Sequence, residues 1–383
     1  MILDEFPSTK EFYTDYWCKK PFIVRGYIPP DVMENLVDGD TLAGLSLEED
    51  IKSRLITNNR TGDNWSCEYG PFEENRFDNI GDKDWSLLVQ NVEQYHTDTA
   101  SLLSCFQFSP RWLLDDVMVS FSASGGSVGP HIDSYHTFLV QGTGKRRWKI
   151  SNEEINDQRF LDNPDMKILK HGFEGEEFEV TSGDVIYMPP FFGHEGKTID
   201  AALTYSVGFL GPKLSEMLAD YAQYLEEDET LDKRFFGDML EVSSAAFTIG
   251  HDTQNVIKQD IISSVQSNHF TAWMAAYFST PHHEEIETLT PKEGEDAMKI
   301  LQDGGGLERF EEIKITITQS KEGAFNLAVF GEAMRVSASQ APLIKKLNDA
   351  ISINIDDLNA STNKEEWIEI VTALYTMNFF KAL

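Results

Sequence analysis

The sequence predicts an α+β chain in three parts: an antiparallel β-barrel with flanking helices over 1–210, a helical segment over 211–268, and a smaller module of helices and strands over 269–383. Three observations predict it. In the first part, short apolar or alternating runs ("PFIVRG", "WSLLVQNVE", "VMVSFS", "HTFLVQG", "RWKI", "FEVTSGDVIYMPP", "ALTYSVGF") are separated by turn residues, the pattern of many short antiparallel strands. After "LGPK" the period changes, and "LSEMLADYAQYLEEDETLDKRFFGDML" has helical apolar spacing with no strand signal. The last part has helical stretches, then "IKITITQ", the turn "SKEG", a partner strand in "AFNLAVFGEAMRVSA", and two closing helical segments, "PLIKKLNDA" and "NKEEWIEIVTALYTMNFF".

Composition bounds the rest. At 383 residues with 41% hydrophobic side chains, the chain can bury more than one core. It opens on no leader-like segment and has no apolar run near the length of a membrane span, so a cytoplasmic protein without a membrane partner is expected. Cys18, Cys67 and Cys105 are odd in number and widely spaced, which indicates neither a disulfide framework nor a zinc site and agrees with a reducing compartment. The formal net charge is −32, with 64 acidic against 32 basic residues. Such a surface repels nucleic acid and draws in basic partners, although acidity also serves solubility or adaptation to a cold or salty habitat. The acidic run Glu226 to Glu229 reads as a solvated helix end.

The chemistry concentrates in "VGPHIDSYHTFLVQGTGKRRWKI", Val128 to Ile150. In an extended segment, side chains two apart share a face, so His131 and Asp133 can point at one spot while Ile132 points away. One imidazole and one carboxylate are two of the three ligands that iron(II) oxygenases use, leaving positions open for substrates and oxygen. The third candidate is His194, which closes "SGDVIYMPPFFGH": a Gly-Asp turn, an apolar strand Val185 to Met188, a Pro-Pro break, then Gly-His. The two segments read as neighbouring strands of the barrel. His136 lies an odd step from Asp133 and reads as a non-ligand. For an isolated His-x-Asp the plainer account is a surface polar pair, and it is the downstream Gly-His element that favours a metal.

The chain resembles the JmjC-type cupin oxygenases, and within them the bacterial ribosomal oxygenases. The resemblance is carried by "EFYTDYWCKKPFIVRGYIP", "WSLLVQNVE", "DDVMVSFSASGGSVGPHIDSYHTFLVQGTGKRRWKI", "GDVIYMPPFFGHEG" and "LTYSVGF", which span about the first 210 residues; beyond them it rests on element order. It implies a double-stranded β-helix (jelly-roll) barrel, a helical dimerisation segment and a C-terminal winged-helix-like domain. In a homodimer of this kind Leu214, Met217, Leu218, Tyr221 and Leu225 would line the two-fold interface; ordinary packing is the alternative. A winged helix usually suggests DNA, but this one has no basic stripe to neutralise phosphates, so a protein-interaction or substrate-positioning module is expected.

The resemblance also implies the reactants: iron(II), 2-oxoglutarate and O2, with an arginine of the sixteenth large-subunit ribosomal protein, a basic partner, as the target. A dicarboxylate bound at the metal through its oxo-acid end needs a cation deeper in the barrel, and the planar fork of arginine suits a carboxylate. In JmjC-type enzymes this cation stands fifteen positions after the first metal histidine, which is Arg146 here, with Lys145 and Arg147 on the outer face. Ser120 matches a position that contacts the cosubstrate, and Thr137 one that holds a polar side chain near it; each is also an ordinary strand hydroxyl. Asp115 and Asp116 read as preceding the strand to Ser120, and Asp116 and Ser206 are the candidates to grip a guanidinium. Four other functions compete: hydroxylation of a ribosomal histidine, demethylation of a lysine, a cupin that does not use 2-oxoglutarate, and a binding module with a vestigial site. Arg146 argues against the third and the intact triad against the fourth.

Overall fold

The computed structural model describes residues 1–58, 65–163, 165–237, 247–281 and 294–383, leaving aside the side chain of Glu295. The chain forms two compact units, Met1–Gly211 and Pro212–Leu383.

Among the described residues the first unit has twelve strands: β1 (Ile2–Leu3), β2 (Phe22–Val24), β3 (Ser53–Asn58), β4 (Trp65–Tyr69), β5 (Trp85–Val89), β6 (Leu114–Ser122), β7 (His136–Gln141), β8 (Lys145–Glu154), β9 (Glu176–Val180), β10 (Val185–Met188), β11 (Phe192–Asp200) and β12 (Ala202–Phe209). Nine form one sheet in the order β1-β2-β10-β7-β12-β6-β5-β3-β4, and three form a second in the order β11-β8-β9. Every pair except β1 with β2 is antiparallel. The Gly-Asp turn before β10 is built as its residues suggest. Gly183 takes φ +86°, and the Asp184 carboxylate accepts from the Gly26 and Thr181 amides and pairs with Arg25 at 2.6 Å.

Both faces of the middle strands β2, β10, β7 and β12 are buried, which explains why they read as apolar runs rather than clean alternations. Phe22, Val24, Phe138, Val140, Val185 and Tyr187 point to one face, into a core shared with Phe12, Leu103 and Phe106 from the flanking helical segments. Their strand neighbours Ile23, Leu139, Ile186 and Met188 point to the other, against Trp148, Ile150, Val180 and Phe192 of the small sheet. Residues of this second face that are polar have nowhere to go but the space between the sheets.

The second unit contains helices Leu214–Glu226, His251–Val265, Asn268–Ser279, Gly294–Gln302, Ala341–Asp349, Ile355–Ala360 and Lys364–Thr376. The helix expected to run on to Leu240 ends at Glu226, and 238–240 lie outside the described residues. The acidic run after it is exposed, as expected. A three-stranded sheet joins β14 (Ile315–Gln319), β15 (Phe325–Val329) and β16 (Glu332–Val336); another joins β17 (Ser352–Ile353), β13 (Leu307–Arg309) and β18 (Phe380–Ala382). The expected strand pair is thus a meander of three. "AFNLAVFGEAMRV" folds back on itself at Phe330 and Gly331, both at positive φ, the geometry of a tight hairpin turn. Of the residues expected at a two-fold interface, Tyr221 instead packs inside its own unit, edge-on to Phe270 and bonded to the Ser264 hydroxyl at 2.8 Å. Met217 and Leu225 are half-buried, and Leu214 and Leu218 are exposed.

Candidate metal and cosubstrate site

Between the two sheets lies a cavity of about 330 Å³. His131, Asp133 and His194 meet at its wall, each offering a ligand atom within 4.8 Å of the others. Asp133 and His194 approach to 3.4 Å, and the two imidazole rings are 4.1 Å apart. The expected extended segment is irregular here. Gly129 (φ +83°) and Pro130 hold His131 out of any regular strand, and one isolated antiparallel bridge ties it to His194. The backbone bonds of that bridge, 3.1 and 3.0 Å, bring the two motifs side by side. His131 Nδ1 lies 2.9 Å from the Gly129 carbonyl and His194 Nδ1 3.2 Å from that of Phe192. A carbonyl only accepts, so each Nδ1 carries the proton and each Nε2 keeps its lone pair, the tautomer a metal ligand needs. Burial and then the neighbouring His194 push His131 down to about 4, so it is neutral at physiological pH. Burial works to raise the Asp133 carboxyl, but the neighbouring imidazoles of His194, 3.4 Å away, and His131 outweigh it and hold the group below its ordinary value.

Arg146 is the second feature. It is 3% exposed, on the inward face of β8, with its guanidinium 5.1 Å over the Trp148 ring and one amino group donating to Thr204 Oγ1 at 2.9 Å. Among the described residues its Nε has no partner and no carboxylate pairs with it. Burial lowers its pKa to about 10, which leaves it charged. A buried charge without a counter-ion is costly, and a carboxylate ligand would supply what is missing. Thr137 and Ser120 line the same cavity. Thr137 Oγ1 is buried without a partner, whereas the Ser120 hydroxyl reaches the Thr204 carbonyl only at 3.5 Å. Arg147 is exposed and Lys145 half-buried, in keeping with the outer face.

Ser206 also lines the cavity, opposite Met118 in the β6–β12 register. Asp116 does not. It is not in a turn before the strand either: Asp115 and Asp116 both belong to β6, because the strand starts at Leu114. Two residues before Met118, Asp116 shares its side of the sheet, 9% exposed, beside Gly208. Burial and the neighbouring Asp115 push its carboxyl up to about 7, against the backbone amide of Asn91 that donates to it. His136 lies on the opposite face of the sheet, stacked on Trp17.

Several wall residues were not singled out in the sequence. Arg54 and Tyr135 come from a remote strand and a loop. Asp165, Met166 and Lys167 come from the connection between β8 and β9, whose Leu169 amide bonds to the Pro130 carbonyl beside His131. Trp148 and Thr204 were within reach of the sequence: each stands two residues from a chosen one, Arg146 and Ser206, on the same inward face.

This arrangement agrees with the families the sequence matches: the JmjC domain over residues 101–217 and the ROXA-like winged helix over 254–381. Residues 101–217 thus match a JmjC domain. Over 380 residues it is 28% identical to the ribosomal protein uL16 3-hydroxylase of Escherichia coli, covering 97% of this chain and 96% of that one. It is 29% identical over 376 residues to a probable ribosomal oxygenase of Haemophilus influenzae, covering 95% and 91%. The X-ray structure of E. coli YcfD superimposes with a TM-score of 0.83 at 27% identity over the whole of both chains. The same E. coli oxygenase in complex with cobalt and 2-oxoglutarate matches at 0.79 and 26%, over 99% of both. The likeness to these ribosomal oxygenases runs the length of the chain, with residues 254–381 matching the ROXA-like winged helix.

Proposed function

We propose that the chain is a 2-oxoglutarate- and iron(II)-dependent oxygenase that hydroxylates an arginine of ribosomal protein uL16. The observation that carries this reading is one cavity holding both a His-Asp-His cluster with unclaimed Nε2 lone pairs and a buried arginine with no carboxylate of its own. The donor set fits iron(II): two neutral imidazoles and one ionised carboxylate on one side of a cavity. His131, Asp133 and His194 hold the metal, and Arg146, with Thr137 and Ser120 beside it, holds the far carboxylate of 2-oxoglutarate. The bound iron, with 2-oxoglutarate and O2, supplies the oxidation: one oxygen atom enters a C–H bond and the other enters succinate as carbon dioxide leaves.

The chain's own contribution is placement. The Gly129 and Phe192 carbonyls fix the two imidazoles by their Nδ1 protons. Met118, Met166 and Ile168 wall the cavity with apolar surface that keeps water from the reacting carbon. Asp116 and Ser206 grip the target guanidinium, whose planar donors match a carboxylate as lysine or histidine donors do not. The acidic surface favours encounter with a basic ribosomal protein. We further read 211–268 as the helical dimerisation segment of a cytoplasmic homodimer, with exposed Leu214 and Leu218 on its face, and 269–383 as a winged-helix-like module for protein contact.

The test is mass spectrometry of recombinant uL16 after incubation with the chain, iron(II) and 2-oxoglutarate. One added oxygen on an arginine is expected, lost when that arginine is replaced by lysine and weakened in Asp116→Asn enzyme. Equal modification of the lysine form, or oxygen on a histidine, would overturn the arginine assignment.

A further inference from the structure

The cavity wall holds a second arginine that this reading leaves without a task. Arg54 stands on β3, in the row Thr204, Ser120, Leu88 and Arg54 that crosses the large sheet, and so faces the same space as Ser120. It is half-buried, and among the described residues its guanidinium has neither a hydrogen bond nor an ion pair. In a chain with twice as many acidic as basic residues, that is not for want of carboxylates. Arg54 lines the same cavity as His131, Asp133 and His194.

Two kinds of occupant enter this cavity on the proposed function. A target guanidinium is repelled by Arg54. The 2-oxo dicarboxylate carries two negative ends, and Arg146, beside Thr204, answers one of them. We infer that Arg54 is the second carboxylate-binding cation of the cavity, holding the carboxylate next to the oxo group while Arg146 holds the far one. This rests on the cavity being a 2-oxoglutarate site, and the experiment separates the two claims.

Load the full chain with Mn(II) and titrate it calorimetrically with 2-oxoglutarate and with 2-oxobutyrate, which keeps the oxo-acid end and lacks the far carboxylate. Arg146→Met is expected to weaken 2-oxoglutarate alone, by roughly tenfold or more, the equivalent of one charge-assisted hydrogen bond. Arg54→Met is expected to weaken both acids by a similar factor, roughly tenfold, with Arg54→Lys recovering part of it. Thermal melting of the variants shows whether they fold, and Arg54→Lys and Arg54→Gln give the same comparison if the methionine form does not. Unchanged affinity for both acids in Arg54→Met or Arg54→Gln, or a loss confined to uL16 binding, overturns the role of Arg54. Failure of the unaltered chain to bind 2-oxoglutarate overturns the proposed function instead.

Discussion

His131 and His136 are five residues apart and lie on opposite sides of one sheet, and almost everything about them differs. His131 spends one ring nitrogen on a carbonyl 2.9 Å away and leaves the other facing a cavity shared with Asp133 and His194. His136 is 8% exposed and stacked on Trp17 at 3.5 Å and 8°. Both of its nitrogens are engaged, Nδ1 with the Tyr187 hydroxyl at 2.8 Å and Nε2 with Cys18 Sγ at 3.5 Å. Burial depresses the pKa of both to about 4, so protonation does not distinguish them. What distinguishes them is a free lone pair and open space in front of it: one face of the sheet is packed solid by aromatic rings, the other is held apart by a second sheet.

The comparison breaks most visibly at the metal. His194→Ala removes one of three ligands, and metal-dependent 2-oxoglutarate turnover should fall to background, read as succinate formed. Full turnover in that variant would take His194 out of the ligand set. On the other face, His136→Phe keeps a ring against Trp17 but takes the 2.8 Å imidazole partner from the buried Tyr187 hydroxyl, leaving it only the longer bond from the Cys18 amide. The expected loss is about 1–3 kcal/mol of stability by denaturant midpoint, with Mn(II) affinity unchanged. Loss of metal binding with stability intact would reverse the two roles.

The smallest effect belongs to Asp116, buried on β6 two residues before the cavity-lining Met118. Asp116 has its folded pKa pushed up to about 7 from an ordinary 3.8. The folded chain therefore holds a proton that the unfolded chain releases, and this group makes stability fall as pH rises between those values. Asp116→Asn removes that penalty. Its melting temperature should exceed that of the unaltered chain at pH 8, by a few degrees or less, with the gap closing toward pH 4. A gap that widens in acid would mean that Asp116 is stabilised as a carboxylate.

Much of this site was legible because its chemistry is local. His131 and Asp133 are two apart, the Gly-Asp turn and β10 announce His194, and Arg146 sits on a strand whose inward parity can be counted. Less legible were the ends of elements. The strand β6 begins two residues before Asp116, since nothing in "RWLLDDVMV" marks a stop against a strand that will be buried on both faces. The turn at Phe330 and Gly331 was hidden in an apolar run for a similar reason.

By itself the sequence determined which residues have the donors for metal and carboxylate, and which side of a strand each one takes, because side-chain parity is a property of the chain alone. Tertiary structure decided which of those donors are left unsatisfied. Arg54 reaches the cavity only because β3 is placed two strands from β6, and Tyr221 turns inward only because the helix Asn268–Ser279 brings Phe270 against it. Whether a histidine is a ligand or a core residue, or an arginine is paired or waiting, depends on what long-range packing puts opposite it, and no local pattern carries that information.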